Sequence, residues 1–228
     1  MDKKTLAVVL SIVFIAASVG VVFYGYLNWE KAITPKGDPL DKVLVKIPYG
    51  GRQYGVLLES YISGDPLLDL NITLRSNVYD DLTILVGDPI FRNCDVSQYG
   101  QMCVLRSKTA SELSVTVSPI FTAARYWYYI HNGYNETEAL ARAQADKDKI
   151  HTTTLAFAQK VKLGLGLMGN KKHLVIILKG PVEGAKTNRI YVPREGVLVI
   201  EATSEQSLFV EVLALKTIIA SQATGESS

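Results

Sequence analysis

The residues of this chain whose types could do chemistry are few. There are two cysteines and three histidines, and two stretches carry glycines at suggestive spacing. Cys94 and Cys103 lie in FRNCDVSQYGQMCVL, separated by eight residues that include Asp95, Ser97 and Gly100. That is loop composition, and a disulfide across so short a loop is geometrically easy. In an oxidising compartment the pair is expected to be bonded. A metal site would need a second cysteine pair or a histidine nearby, and a nucleophilic thiol would need a base close in sequence. His131, His151 and His173 fall on separate predicted elements, with no i, i+4 pair for a metal. No metal, cofactor or catalytic residue is assigned.

Gly164, Gly166 and Gly169 (GLGLMG) match G-x-G-x-x-G. They follow a predicted helix and precede a predicted strand, whereas a dinucleotide site needs the strand first. The stretch reads as a loop that ends a helix. Lys179-Gly180-Pro181-Val182-Glu183-Gly184-Ala185-Lys186 is one residue short of phosphate-loop spacing, and no Lys-Ser/Thr pair follows its second glycine. It is still the one loop retained as a candidate binding element. It follows a predicted buried strand and carries Lys179, Lys186 and, just beyond, Arg189. The triplets Asn71-Ile72-Thr73 and Asn135-Glu136-Thr137 permit external glycosylation, and Asn135 reads equally well as a helix N-cap. No G-x-S-x-G, H-E-x-x-H or paired-carboxylate arrangement occurs.

What must position these residues begins with Thr5 to Tyr26, TLAVVLSIVFIAASVGVVFYGY, which carries no charge. About 20 helical residues cross a hydrocarbon core of roughly 30 Å. Such a run fits an uncleaved signal anchor, a signal peptide cleaved near Ala16-Ala17-Ser18, or a buried core helix. The apolar run continues past Ser18, beyond the usual signal-peptide core. Phe23, Tyr24, Tyr26 and Trp29 would form an aromatic belt at its downstream end. The signal anchor is therefore preferred. Lys3 and Lys4 favour a cytoplasmic N-terminus, and Lys31 and Lys36 nearly balance them. The cysteines and sequons tip the main domain outward.

The net charge of +2 supplies no basic field for nucleic acid. The segments read as a tail 1–4, a transmembrane anchor 5–27, a linker 28–41, a β-rich region 42–118, a helical region 119–170, a C-terminal unit 171–220 and a tail 221–228. In the β-rich region, a hairpin turning at Tyr49-Gly50-Gly51-Arg52 is expected. Further strands are expected at Leu68–Leu74, which has the clearest period-two pattern, at Leu82–Val86, near Met102–Arg106 and at Leu113–Ser118. Together these predict an antiparallel sheet or small sandwich.

A helix is expected from Pro119 to an Asn132-Gly133 cap, then a second from about Glu138 to Leu163, forming a helical hairpin. Three strands (174–178, 190–192 and 197–200) and a helix at 205–219 complete an α+β fold. Thr203 and Ser204 are expected to cap that last helix, with Gln206 at capping-box spacing from Thr203.

The stretch LVIILKGPVEGAKTNRIYVPREGVLVIEA, followed by a capped helix, resembles the C-terminal parts of uncharacterised single-span envelope proteins of thermophilic archaea. The resemblance covers about a fifth of the chain and implies no functional residue. The sequence therefore predicts a single-pass membrane protein with an extracytoplasmic α+β domain. That domain would act as a binding or structural module, with a protein partner at the cell envelope. The alternative is an extracytoplasmic enzyme or ligand-binding domain with its site near the 179–189 loop.

Overall fold

The computed structural model describes residues 3–87 and 100–224. Cys94 lies outside them, and so does the pairing expected of it with Cys103. The N-terminal helix α1 (Lys3–Ile33) is long and apolar enough to cross a membrane, and its most apolar window is wholly exposed. Ser11 and Ser18 donate their hydroxyls back to the carbonyls of Ala7 and Phe14, so neither leaves a polar group unpaired in the apolar run. The helix extends into what the sequence suggested was linker and ends at Ile33, just before Pro35.

Among the described residues the rest of the chain builds a seven-stranded mixed sheet with helices on both faces. The strands are β1 (Asp41–Tyr49), β2 (Arg52–Ser60), β3 (Asp81–Val86), β4 (Ile150–Thr153), β5 (His173–Lys179), β6 (Arg189–Arg194) and β7 (Val197–Glu201). Their spatial order is β1-β2-β6-β7-β5-β3-β4. The β1/β2 hairpin turns on Gly50 and Gly51, both at positive φ, as expected. The expected antiparallel sheet or sandwich is overturned. β7, β5, β3 and β4 run parallel, β2 pairs parallel with β6, and only β1/β2 and β6/β7 are antiparallel.

Among the described residues, four helices and a π turn lie between β2 and β5. They are α2 (Pro66–Asn71), continued by a π turn Ile72–Ser76, α3 (Gln101–His131), α4 (Glu136–Ala145) and α5 (Phe157–Gly164). Of these, α2 with its π turn and α3 stand where antiparallel strands were expected. The strand expected at Leu68–Leu74 is α2 and its π turn. Leu70 and Leu74 are buried, whereas Leu68 and Ile72 are exposed. An i, i+4 pair fits both periods, and here the local chemistry chooses the helix. Asp65 caps it by accepting from Leu67 N and Leu68 N, and Pro66 occupies the first turn.

The strands expected at 102–106 and 113–118 are both part of α3. Its buried residues Arg106, Ala110, Leu113, Val117 and Phe121 follow helical spacing, while Val115 is exposed. Pro119 therefore lies inside a helix rather than opening one. The long helix expected over 138–163 stops at Ala145. A 3-10 turn (Asp146–Lys149) and β4 intervene before α5. The β-branched residues Ile150, Thr152 and Thr153 favour a strand, and the sheet edge accepts it beside β3.

Buried parallel strands leave two apolar faces. Leu82, Ile84, Leu174, Ile176, Leu198 and Ile200 face α2, α3 and the last helix, α6 (Glu205–Thr224). Leu85, Val175, Ile177, Val197 and Val199 face the opposite way, onto Leu155, Leu163 and the end of α1 at Ile33. Each fully buried aliphatic side chain contributes about 1.5–3 kcal/mol, so β5, buried from Leu174 to Leu178, is a main anchor of the fold. Of the two residues expected to cap α6, Ser204 does so, its hydroxyl accepting from Ser207 N, and the capping box of Thr203 with Gln206 does not form. Thr203 instead bonds Asn188 Oδ1.

Candidate functional site

Two of the three cations singled out from sequence serve the fold itself. Lys179, on the last position of β5, lies 3.2 Å from Glu201 Oε1. Arg189, opening β6, grips Glu201 Oε2 at 3.0 Å and Glu59 Oε2 at 2.9 Å. Lys186 donates its backbone N–H to the same Glu201 carboxylate. Burial works to raise the Glu201 pKa, but this N–H and the charges of Lys179 and Arg189 outweigh it and hold the group below its usual range. The structure thus brings Lys179, Lys186 and Arg189 together, but around a buried carboxylate.

This cluster lies on the sheet face that receives α1. Tyr191 Oη, beside Glu201, donates to the Ile33 carbonyl at 3.3 Å, and Arg194 Nε donates to the Ala32 carbonyl at 3.0 Å. Two carbonyls that a helix C-terminus leaves unpaired are satisfied by side chains from the sheet. Burial and the Glu201 charge push the Tyr191 pKa up, so its hydroxyl keeps the proton it donates.

The carboxyl ends of β3 and β5 carry the second arrangement. The chain leaves β3 towards β4 on one side and leaves β5 towards β7 on the other, which is where open α/β sheets form ligand crevices. Here Arg106 of α3 fills the crevice. Its Nε meets Glu205 Oε2 at 2.6 Å, and its Nη2 meets Glu205 Oε1 at 2.5 Å and Glu183 Oε2 at 3.0 Å. Gly87 and Gly180 follow directly on the two strands, and a Cβ there would collide with Arg106 and with Glu183 or Glu205. Burial lowers the Arg106 pKa, but the two carboxylates outweigh it, and the guanidinium stays charged.

Beside this triad a cleft of about 580 Å³ opens between α3 and β4. Ser107, Ser111, Ser114 and Thr152–Thr154 supply hydroxyls, with Arg106 at one end. Its lining carries neither a carboxylate nor a histidine, so it holds donors and acceptors but no general base among the described residues. The nearby Arg106 charge is already matched by two acids. The arrangement suits a neutral, hydroxyl-bearing ligand better than an anion.

The remaining sequence candidates hold the fold. Asn135 caps α4 by accepting from Glu138 N at 2.9 Å, and Asn71 ends α2 with its amide oxygen buried. His173 Nδ1 sits 2.8 Å from Asp81 Oδ2, His131 Nδ1 sits 2.7 Å from the Trp127 carbonyl, and His151 is exposed on the β4 edge. No group of three metal-ligating side chains is brought together among the described residues. Cys103 is buried in the first turn of α3. Gly164 of the GLGLMG stretch meets α1, and Gly166 and Gly169 turn the chain at positive φ towards β5.

Sequence reasoning missed Arg106, Glu183 and Glu205, which lie on separate elements and share no motif. The available signal was a lone arginine at a core spacing of α3. Comparison of the chain with family models, curated proteins and solved structures returns no match.

Proposed function

We propose that the chain is a single-span membrane protein whose α/β domain is held against the membrane surface and serves the cell envelope as a binding or structural module. The observation that carries this reading is α1 itself. Its most apolar stretch is exposed, as a span requires, while its last turns dock on the sheet through Ile33, Tyr191 and Arg194. A domain fastened in this way presents a defined outer surface at a fixed height. The oxidised Cys94–Cys103 pair belongs to the same proposal, since it needs an external compartment.

The test is thiol accessibility in intact cells that express the full chain. A membrane-impermeant maleimide is applied with and without mild reduction, and both cysteines are read by mass spectrometry. Labelling only after reduction supports an external, disulfide-bonded domain. Labelling that needs permeabilisation and no reductant overturns it. Photo-cross-linking from the exposed Trp127 then asks for a partner. A discrete covalent protein adduct supports the module reading.

A second reading rests on the hydroxyl-lined cleft. It makes the domain a receptor for a neutral polar small molecule at the carboxyl ends of β3 and β4. A panel of sugars and polyols tests it through the melting temperature. A shift abolished by Ser111→Trp supports it, and no shift across the panel removes it.

A further inference from the structure

Helix α5 lies against the downstream third of α1. At Gly25 and Gly164 the two backbones touch, and a Cβ at Gly164 would overlap the Gly25 carbonyl. The Phe157 ring at the start of α5 stacks on Tyr26 with centroids 4.9 Å apart. Phe157 also closes an apolar groove of about 360 Å³ against Ser18, Val19, Val22 and Phe23. Yet the side chain remains 56 % exposed, beside a Phe23 that is 61 % exposed. A soluble domain would bury such a pair.

The level of this patch follows from helix geometry. If the hydrocarbon begins at Thr5, just after Lys3 and Lys4, about 20 residues at 1.5 Å each bring its far boundary to Tyr24. Val19, Val22 and Phe23 then lie inside the boundary, and Phe157 lies at it. Lys160, one turn along α5, places its Nζ 4.8 Å from the Trp29 ring, and Lys162 is exposed. Aromatic rings with lysines above them are the composition of the headgroup layer.

We propose that α5 is a second membrane contact of this protein. In this arrangement Phe157 is inserted at the acyl–headgroup boundary beside the span, and lipid acyl chains fill the groove between them. Continuity with the span selects lipid as the occupant, because the groove walls are the span's own exposed residues. The Gly25–Gly164 contact prevents the ring from withdrawing without separation of the helices. The domain therefore sits in one orientation on the bilayer, with the α3 layer facing away. The inference rests on α1 being a membrane span.

The test uses the full chain in phosphatidylcholine–phosphatidylglycerol vesicles. Benzoylphenylalanine replaces one residue at a time: Phe14 within the span, Phe157, and Val115 on the opposite helical layer. Lipid adducts at 14 and 157, with only background at 115, are expected. A lipid adduct at 14 with background at 157 overturns the second contact and leaves the span standing. A protein–protein adduct at 157 overturns it in favour of a second copy. No lipid adduct at 14 overturns the span and the inference together. Should benzoylphenylalanine at 157 lower the melting temperature, Phe157→Trp in a Trp29→Phe, Trp127→Phe background reads the same depth. Quenching by acyl-brominated lipid is expected there, and its absence overturns the proposal.

Discussion

Gly25 of α1 and Gly164 of α5 meet backbone to backbone. A Cβ on Gly164 would overlap the Gly25 carbonyl and approach Trp29 N to 2.9 Å, and one on Gly25 would lie 2.8 Å from the Val161 carbonyl. Small residues permit this approach, and nothing larger fits. The contact joins the apolar helix to the domain rather than to another span.

Gly164→Val or Gly25→Val is expected to separate the helices. Overpacking of this kind costs about 1–3 kcal/mol. Gly20→Val, at a position with nothing within 4 Å, is the control. Melting of the full chain in detergent provides the readout. Both Gly164→Val and Gly25→Val should lower the melting temperature, and Gly20→Val should leave it unchanged. Equal melting temperatures in all three would refute the docked arrangement.

Arg106 is 1 % exposed, and Glu183 and Glu205 are 6 % and 7 % exposed beside it. Arg106→Met leaves two acids buried together and should destabilise the domain by about 3–5 kcal/mol. The triple change Arg106→Met, Glu183→Gln, Glu205→Gln should recover part of that loss, because no uncompensated charge remains. Urea unfolding in detergent checks both. A triple variant no more stable than the single one would sink the charge explanation.

Glu211 on α6 is 1 % exposed, and neither carboxylate oxygen has a hydrogen-bond partner among the described residues. Burial first, and then the Glu201 charge, push its pKa well above the carboxylate range. The folded chain keeps a proton that the unfolded chain loses near pH 4.3, about the reference value for Glu. Stability contributed by this group is therefore lost as pH rises from there through the folded pKa. Glu211→Gln should raise the melting temperature at neutral pH and flatten its decline with pH. An unchanged slope would show that Glu211 is charged in the fold.

Glu201 has the opposite sign. Its folded pKa is depressed, so its contribution is present above the unfolded carboxyl range and disappears as pH falls through the folded value. Arg189→Met removes one of the charges that depress it and also strips a partner from Glu59. Acid unfolding of this variant, followed by circular dichroism, should begin at higher pH than in the parent chain. Coincident acid limbs would argue against the network.

The sequence by itself determined the elements whose signal is local. The uncharged run of α1 needs no partner to be helical and apolar. The Gly50-Gly51 turn, the continuous apolar run of β5, the Asn135 cap and the Asn132-Gly133 stop carry their own backbone chemistry. Tertiary structure decided the rest. Leu70/Leu74 and Leu113/Val117 are i, i+4 pairs that satisfy a strand face and a helix face alike. Only the sheet they pack against shows that Ile72 and Val115 point to the outside. The parallel strand order was equally hidden, since it depends on crossovers rather than on turns.

The candidate site was divided in the same way. Lys179, Lys186 and Arg189 were visible as a cluster of cations. The use of Lys179 and Arg189 as counter-ions depends on Glu59 and Glu201, which reach them across strand neighbours, whereas Lys186 offers only its backbone N–H. Arg106, Glu183 and Glu205 lie up to 99 residues apart and meet only where β3 and β5 end. A buried ion pair is set by distance in space and by exclusion of water, and neither is a property of sequence spacing.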